Sequence, residues 1–129
     1  MAKKILIADD EANIVTSLEY LMEKSGYEVR TARNGIEAIS LVESFLPDVV
    51  LLDVMMPYMS GYEVCQAIRQ RDDWQNIKIV MLSAKGREAE VNKGLSIGAD
   101  TYITKPFSNH ELIEKINGLL QSSTKPDEA

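Results

Sequence analysis

Short apolar runs alternate along this chain with longer segments in which apolar residues recur every three or four positions. A continuous apolar run such as Val49–Leu52 is typical of a strand that is covered on both faces. The spacing of Ile14, Leu18, Leu21 and Met22 is typical of a helix with one buried stripe. In chain order, the predicted elements are β1 (5–8), α1 (11–25), β2 (27–32), α2 (35–46), β3 (48–53), α3 (centred on 64–68), β4 (77–82), α4 (86–97), β5 (102–104) and α5 (108–121).

Turn and capping residues support the boundaries of several predicted helices. Gly26 stands just past the end of α1, where a left-handed backbone conformation favours glycine. Pro47 disfavours helix in the residue before it, so α2 is expected to end there. Ser108 and Glu111 have the spacing of a capping box at the start of α5. The segment 71–76 is polar and is predicted to be a connection between α3 and β4.

Five strand–helix repeats predict an α/β fold with a parallel sheet and helices on both of its faces. Right-handed crossovers between parallel strands, which are nearly obligatory, place the helices in this way. A chain of 129 residues, of which 45% are hydrophobic, fits one domain with a substantial core. We predict a domain over residues 1–121 and a flexible tail or linker start over residues 122–129, which are polar and contain Pro126.

Composition and charge exclude several classes of protein. A net charge of −6 argues against nucleic-acid binding by this chain, because neutralisation of phosphates dominates that affinity. No apolar stretch approaches the ~20 residues that span a bilayer, and the short run before Asp9 is too brief for a signal peptide. We therefore expect no membrane association and a cytoplasmic location. Cys65 and His110 are each alone of their type, so we expect a buried helical cysteine and a solvated histidine rather than a disulfide framework or metal cluster.

Polar side chains stand at the carboxyl ends of four predicted strands. These are Asp9 and Asp10 after β1, Asp53 at the end of β3, Ser83 after β4, and Lys105 after β5. In an open parallel sheet these ends share the edge where ligands bind, so the five groups are expected in one crevice. Each pair of like charges ~4 Å apart costs about 4 kcal/mol at an effective dielectric constant near 20. The ammonium of Lys105 does not balance three acids, and a bound Mg²⁺ would supply the remaining charge.

Each of these residues also has an ordinary structural explanation. An aspartate after a strand often caps the next helix, as Asp10 could for α1, and Ser83 could cap α4 in the same way. Asp53 could start a turn, and Lys105 could be a loop residue. Any one of these explanations is as plausible as a functional role. It is much less plausible that all of these residues, at the ends of different strands, have only structural roles. The pattern therefore favours phosphoryl-transfer chemistry.

Several segments of the chain match the motifs of one known family in order and spacing. They are Leu6-Ile7-Ala8-Asp9-Asp10-Glu11, Leu51-Leu52-Asp53-Val54-Met55-Met56-Pro57, Gly61, Met81-Leu82-Ser83-Ala84, Gly98-Ala99-Asp100 and Lys105-Pro106-Phe107. In these motifs the chain resembles the receiver domains of two-component response regulators, such as the single-domain chemotaxis regulator. The resemblance covers residues 3–121 and implies a flavodoxin-like, doubly wound (βα)5 fold with strand order 2-1-3-4-5. It also implies a phosphorylation-activated signalling switch rather than a turnover enzyme.

The same resemblance implies a role for each site residue. Asp53 would be the phosphoacceptor, whose carboxylate attacks phosphorus and becomes an aspartyl phosphate. Ser83 would donate a hydrogen bond to a phosphoryl oxygen, and Lys105 would pair with the phosphoryl group and with Asp53. The implied Mg²⁺ ligands are Asp10, Asp53 and the backbone carbonyl of Met55, with Asp9 acting largely through water.

Signal output and partners follow from the resemblance as well. In the family, a hydroxyl residue and an aromatic residue, here Ser83 and Tyr102, move together and change the face formed by α4, β5 and α5. A histidine kinase or histidine phosphotransfer protein would supply the phosphoryl group, and an effector domain or protein would bind this α4-β5-α5 face. Val91 and Thr101 stand where charged partners typical of dimers on that face are expected, although the charged residues Asp100, Glu111 and Lys115 remain. We therefore expect a monomer before phosphorylation, and dimerisation on phosphorylation is left open.

The phosphorylated form is expected to be long-lived. Two positions that tune its lifetime in the family are here Met55 and Lys85. Neither side chain carries a carboxylate or amide that could position an attacking water, so slow self-dephosphorylation is predicted.

Three rival classes fit the sequence less well. A phosphatase of the haloacid-dehalogenase type needs a second acid two residues after its nucleophile, where Met55 stands. A flavin or nucleotide binder needs a phosphate-cradling loop after β1, and Asp9-Asp10-Glu11 would repel the phosphate. An inactive receiver is disfavoured by the intact set of acids, hydroxyl and lysine. Within the receiver family, a stand-alone regulator and the receiver part of a longer regulator both remain open.

Overall fold

The structure is a computed structural model in which residues 2–84, 88–105 and 107–122 are described, apart from the side chains of 84, 88–91, 121 and 122. Its strands are β1 (Lys4–Ala8), β2 (Glu28–Ala32), β3 (Val49–Asp53), β4 (Lys78–Ala84) and β5 (Thr101–Lys105). Its helices are α1 (Ala12–Lys24), α2 (Gly35–Phe45), α3 (Gly61–Arg69), α4 (Glu88–Ile97) and α5 (Asn109–Ser122). A short 3₁₀ helix, Asp72–Trp74, precedes β4.

All five strands are parallel and form one sheet in the order β2-β1-β3-β4-β5. This arrangement confirms the predicted fold class and strand order. The register sets the carboxyl ends of neighbouring strands side by side, with Ala8 opposite Leu52 and Ala84 opposite Lys105. Residues that end or follow β1, β3, β4 and β5 therefore meet at a single edge of the sheet.

Apolar side chains cover both faces of the sheet, as expected for a doubly wound fold. One core cluster joins the sheet to α2 and α3 and includes Leu52, Val64 and Ile68. The other joins the sheet to α1 and α5 and includes Leu18 and Leu112. The central strand β3 is buried at every residue, which explains why its sequence is apolar without alternation.

The connection 71–76 contains a buried tryptophan that its polar composition did not predict. Trp74 is only 3% exposed, and the 3₁₀ helix packs it into the cluster on the α2–α3 side. The Arg71 guanidinium lies 4.1 Å from the centre of the Trp74 ring, at the distance of a cation–π contact. A single aromatic residue among polar neighbours has no periodicity, so the sequence pattern could not place it.

Element ends lie close to the predicted positions. Gly26 has a φ of +96°, in agreement with its predicted place past α1. The Ser108 hydroxyl oxygen accepts a hydrogen bond from the Glu111 N–H at 3.1 Å, which is one half of the predicted capping box. The strand β4 extends to Ala84, beyond its predicted end, because it pairs with β5 as far as Lys105. The predicted start of α4 at residue 86 lies outside the described residues.

Two isolated residues have the environments that were expected of them. Cys65 is buried in α3, and burial raises the pKa of its thiol to about 11. His110 is exposed, and its Nε2 lies 3.2 Å from a carboxylate oxygen of Glu114. Neither residue forms part of the site below. No helix in the described part of the chain is long and apolar enough to cross a membrane.

Candidate functional site

The carboxyl edge of the sheet brings three aspartates together. Asp9 follows β1 and is fully buried, whereas Asp53 ends β3 and is 7% exposed. Asp10 is exposed. One carboxylate oxygen from each residue lies within 4.8 Å of the other two. These acids form a pocket with Asp10 at its solvent-exposed side.

Backbone hydrogen bonds hold the strand ends that carry these acids. The Asp9 N–H donates to the Ala32 carbonyl oxygen at 3.1 Å, which ties the end of β1 to β2. Asp9 Oδ1 accepts from the Glu11 N–H at 2.9 Å. The Val54 N–H donates to the Leu82 carbonyl oxygen at 3.2 Å and continues the pairing of β3 with β4 past the strand end. The geometry of the acids is therefore set by the sheet itself.

Lys105, the last residue of β5, places an ammonium group among the acids. Its Nζ lies 2.9 Å from Asp9 Oδ2, 3.2 Å from Glu11 Oε1 and 3.4 Å from Asp53 Oδ1. Burial lowers the pKa of Lys105, but the hydrogen bond to Asp9 and the charges of Asp53 and Asp9 outweigh burial, so its pKa is raised. The ammonium is therefore charged at neutral pH and offsets part of the negative charge.

The ionised form of Asp53 is disfavoured in the folded protein. Burial raises the pKa of its carboxyl, and the charge of Asp9 raises it further. The charge and hydrogen bond of Lys105 act in the opposite direction, and the resulting pKa is about 7, compared with an ordinary 3.8. Lys105 thus does not fully offset the acids, and a cation bound among them would relieve the remaining repulsion.

Ser83 contributes a hydroxyl from β4, one residue beyond the position that pairs with Asp53. Its side chain is buried, and Oγ has no hydrogen-bond partner within the described part of the chain. Buried hydroxyls in proteins are nearly always hydrogen-bonded, so an unpaired one requires an explanation. Among the described residues this hydroxyl is a donor without a partner at the edge of the sheet that carries the acids, which fits an anionic group that binds there together with a cation.

Glycines allow the loop between β3 and α3 to approach its neighbours closely. A Cβ added at Gly61 would overlap the Asp53 carbonyl oxygen, and the Gly61 N–H donates to the Val54 carbonyl oxygen at 2.8 Å. A Cβ added at Gly35 would overlap the backbone and Cβ of Met59, so the same loop also packs against the start of α2. These contacts fix the backbone that follows β3.

The predicted switch and lifetime residues that the structure describes differ in their exposure to solvent. Tyr102 on β5 is 38% exposed, and its ring centre lies 5.7 Å from Lys115 Nζ of α5. It thus contacts α5 on the α4-β5-α5 face while Ser83 remains buried. Met55 is 64% exposed. Lys85 and the side chain of residue 91 lie outside the described residues.

Glu11 is a site residue that the sequence pattern did not single out. It occupies the N-cap position of α1, so the capping role open to Asp10 is not realised, and its side chain makes no capping hydrogen bond. Its carboxylate pairs with Lys105 instead, which is 94 residues away in the chain. The run of acids at Asp9-Asp10-Glu11 was the available signal, but a contact over that separation has no local pattern.

Comparison with known proteins identifies the class to which the chain belongs. Residues 5–117 match the family described as the response regulator receiver domain, and the chain belongs to this family. Over 123 residues it is 46% identical to the alkaline phosphatase synthesis transcriptional regulatory protein PhoP of Bacillus subtilis (strain 168). The aligned part is 95% of this chain and 50% of PhoP. The chain thus spans about half the length of the curated relatives it matches.

Solved structures show the same similarity. A CheY-like response regulator receiver domain protein from Methanospirillum hungatei is 32% identical with a TM-score of 0.88, and the match covers 97% of this chain and 98% of that one. The chemotaxis response regulator CheY4 of Vibrio cholerae is 29% identical with a TM-score of 0.87, and the match covers 92% of this chain and 99% of that one. The predicted family is therefore confirmed.

Proposed function

We propose that this chain is a phosphorylation-activated signalling switch in which Asp53 accepts a phosphoryl group in a Mg²⁺-dependent reaction. The observation that carries the proposal is the convergence of three aspartates and Lys105 at the edge of the sheet that also carries Ser83, whose hydroxyl has no hydrogen-bond partner among the described residues. Acids, ammonium and hydroxyl together match the charges of a divalent cation and a phosphoryl group. Membership in the receiver family supports the same role.

The oxygen donors of the pocket fit Mg²⁺, which prefers a few carboxylates and retains several waters. The residues that would hold it are Asp10 and Asp53 directly, the backbone carbonyl of Met55, and Asp9 through water. Both carboxylate oxygens of Asp9 already accept hydrogen bonds from protein donors, which agrees with an indirect role. Bound there, Mg²⁺ would neutralise charge on the acids and on the phosphoryl oxygens.

Asp53 acts as the nucleophile in the proposed reaction. One of its carboxylate oxygens forms a bond to phosphorus while the bond from phosphorus to the donor breaks, and the leaving group departs with the electron pair. Lys105 offsets the negative charge on the phosphoryl oxygens, and Ser83 donates a hydrogen bond to one of them. The protein positions these groups and stabilises charge, without serving as an enzyme that turns over an external substrate.

Incubation with acetyl phosphate and Mg²⁺ tests the proposal. We expect intact-mass spectrometry to show one added phosphoryl group per chain, and none when a chelator removes Mg²⁺. The variant Glu23→Gln, which removes an exposed acid near the far end of α1, should react like the wild type. No added mass with Mg²⁺, or an equal gain in chelator, would contradict the proposal.

We further propose a histidine kinase or histidine phosphotransfer protein as the donor, and an effector domain or protein as the target of the α4-β5-α5 face. PhoP is described as a transcriptional regulatory protein and continues beyond the aligned half. This chain has a net charge of −6, so direct nucleic-acid binding is not part of the proposal. A monomer before phosphorylation is proposed, and sedimentation with and without beryllofluoride would show whether phosphorylation produces a dimer.

A two-state equilibrium is proposed to carry the signal to that face. Phosphorylation would select a state in which the Ser83 hydroxyl has moved toward the phosphoryl group and Tyr102 has turned inward. The motivating observations are the Ser83 hydroxyl, which has no hydrogen-bond partner in the part of the chain that the structure describes, and the partial exposure of Tyr102. We expect the exposure of Tyr102 to fall when beryllofluoride and Mg²⁺ bind, as seen in its side-chain rotamer in crystals. An identical rotamer in both states would rule out this coupling.

The aspartyl phosphate is predicted to persist for minutes or longer. The exposed side chain of Met55 is apolar, and neither it nor Lys85 provides a carboxylate or amide to orient water. Purified, phosphorylated protein in Mg²⁺ should therefore lose its added mass slowly. Complete loss within seconds would show the prediction to be wrong.

A further inference from the structure

Lys105 uses all of its hydrogen-bonding capacity in the absence of a phosphoryl group. An ammonium has three N–H donors, and among the described residues Nζ has three carboxylate partners, at 2.9 Å (Asp9), 3.2 Å (Glu11) and 3.4 Å (Asp53). A phosphoryl oxygen that pairs with Lys105, as the proposed function requires, must displace one of these partners.

The three partners differ in how much free energy their release costs. Asp9 is fully buried, so loss of its ion pair would leave a desolvated carboxylate without the ammonium that offsets its charge. Asp53 is itself the proposed phosphoacceptor and stays next to the ammonium. Glu11 has 61% of its side-chain surface exposed, and water solvates its carboxylate as soon as it leaves. Glu11 is therefore the partner that is displaced at the lowest cost.

We propose that Glu11 is a displaceable partner of Lys105. Before phosphorylation the Glu11 carboxylate positions the Lys105 ammonium, and on phosphorylation a phosphoryl oxygen takes the place of this carboxylate. The inference rests on the proposed function of the same site. Glu11 is a positioning residue here, because it acts through Lys105 rather than on phosphorus. Its carboxylate competes with the incoming anion, so it weakens the binding of phosphoryl groups and of their analogues.

The substitution Glu11→Gln isolates this competition from the rest of the site. The bond from the residue 11 N–H to Asp9 Oδ1 comes from the backbone, so it is retained in the variant. The side chain makes no capping hydrogen bond at the start of α1, so the helix is not weakened. The variant therefore alters the contact with Lys105 and leaves the three aspartates unchanged.

Calorimetric titration with beryllofluoride in the presence of Mg²⁺ measures the effect on binding, because this anion mimics a phosphoryl group. We expect Glu11→Gln to bind about three- to tenfold more tightly than the wild type. Glu11→Asp keeps the charge on a shorter side chain and should lie between them. The control Glu23→Gln removes the same charge at a distant position and should match the wild type.

Equal or weaker binding by Glu11→Gln, with binding by the wild type intact, would overturn the inference alone. Absence of beryllofluoride binding by every variant would instead contradict the proposed function of the site.

A crystal structure of the complex with Mg²⁺ and beryllofluoride gives a second readout. We expect the Glu11 carboxylate to lie beyond the ~4 Å limit of an ion pair with Lys105 Nζ, while Asp9 keeps its contact. A complex in which Glu11 remains paired with Lys105 would overturn the inference.

Discussion

The variant Asp53→Asn is expected to gain no phosphoryl group from acetyl phosphate and, without Mg²⁺, to be more stable than the wild type at pH 8. Asparagine has nearly the same shape but no nucleophilic carboxylate, so phosphorylation is lost completely if Asp53 is the acceptor. The gain in stability has a different origin. Burial and the charge of Asp9 raise the pKa of Asp53 to about 7, so ionisation of this carboxyl destabilises the folded state.

The pH dependence of stability follows from the sign of this pKa difference. The pKa of Asp53 is about 7 in the folded protein and near the ordinary 3.8 in the unfolded chain, so the folded state holds its proton more tightly. Well below the ordinary pKa of 3.8 the group is protonated in both states and has no effect. As the pH rises from there to 7, the unfolded chain ionises first and the folded state loses relative stability.

Above pH 7 the ionised Asp53 carboxylate destabilises the folded protein to its full extent. We expect it to lower the free energy of unfolding by roughly 2 kcal/mol, after allowance for solvent screening at the open side of the pocket. Urea unfolding in a chelator at pH 4 and pH 8 measures the difference between Asp53→Asn and the wild type. The two proteins should be close at pH 4 and separate at pH 8.

The matched control for this experiment is Asp72→Asn, which removes an exposed acid in the connection between α3 and β4. It should take up the phosphoryl group normally and unfold like the wild type at both pH values. Mg²⁺ should stabilise the wild type and this control but not Asp53→Asn. A phosphoryl group on Asp53→Asn would point to another acceptor, and lower stability of that variant at pH 8 would refute the electrostatic explanation.

The convergence of the acids could be predicted because parallel strands carry their carboxyl ends to one edge. Asp9, Asp53 and Lys105 each stand at the end of an apolar run, so the fold class alone placed them near one another. The contact of Lys105 with Glu11 could not be predicted in this way, because the position of a long, exposed side chain is decided by the assembled site. The burial of Trp74 could not be predicted either, since a single aromatic residue among polar neighbours gives no hydrophobic periodicity.

Gly61 could be recognised in the sequence as part of a motif, but the physical reason for a glycine at this position could not. Its place after Pro57 belongs to the family pattern, whereas the overlap that a side chain would cause with the Asp53 carbonyl oxygen depends on the path of the loop. The same holds for Gly35, whose closeness to Met59 joins two elements that are separate in sequence. Glycine is required at these two positions because another segment of the chain packs too closely for a side chain, and not because of the local backbone conformation.

The second large effect is expected for Gly61→Ala, which should destabilise the fold by about 2–3 kcal/mol and weaken Mg²⁺ binding by about tenfold or more. The added Cβ would overlap the Asp53 carbonyl oxygen and come within 2.9 Å of Val54 Cα. These are backbone atoms, which cannot rotate away like the end of a flexible side chain. Relief of the overlap must shift either the end of β3 or the start of α3. Either shift moves Asp53 and the proposed Met55 carbonyl ligand relative to Asp10.

Gly118→Ala is the matched control, because apart from the neighbouring backbone of α5 no atom in the described part of the chain lies within 4 Å of the added Cβ. It should raise stability by about 0.5–1 kcal/mol, since alanine favours helix over glycine, and leave Mg²⁺ affinity unchanged. Urea unfolding gives the stabilities, and calorimetric titration with Mg²⁺ at low temperature, where Gly61→Ala is still folded, gives the affinities. A Gly61→Ala protein with the stability and Mg²⁺ affinity of the wild type would show that the loop after β3 can move to accommodate the added Cβ without disturbing the site. The close packing of Gly61 on β3 would then not be what holds Asp53 in place.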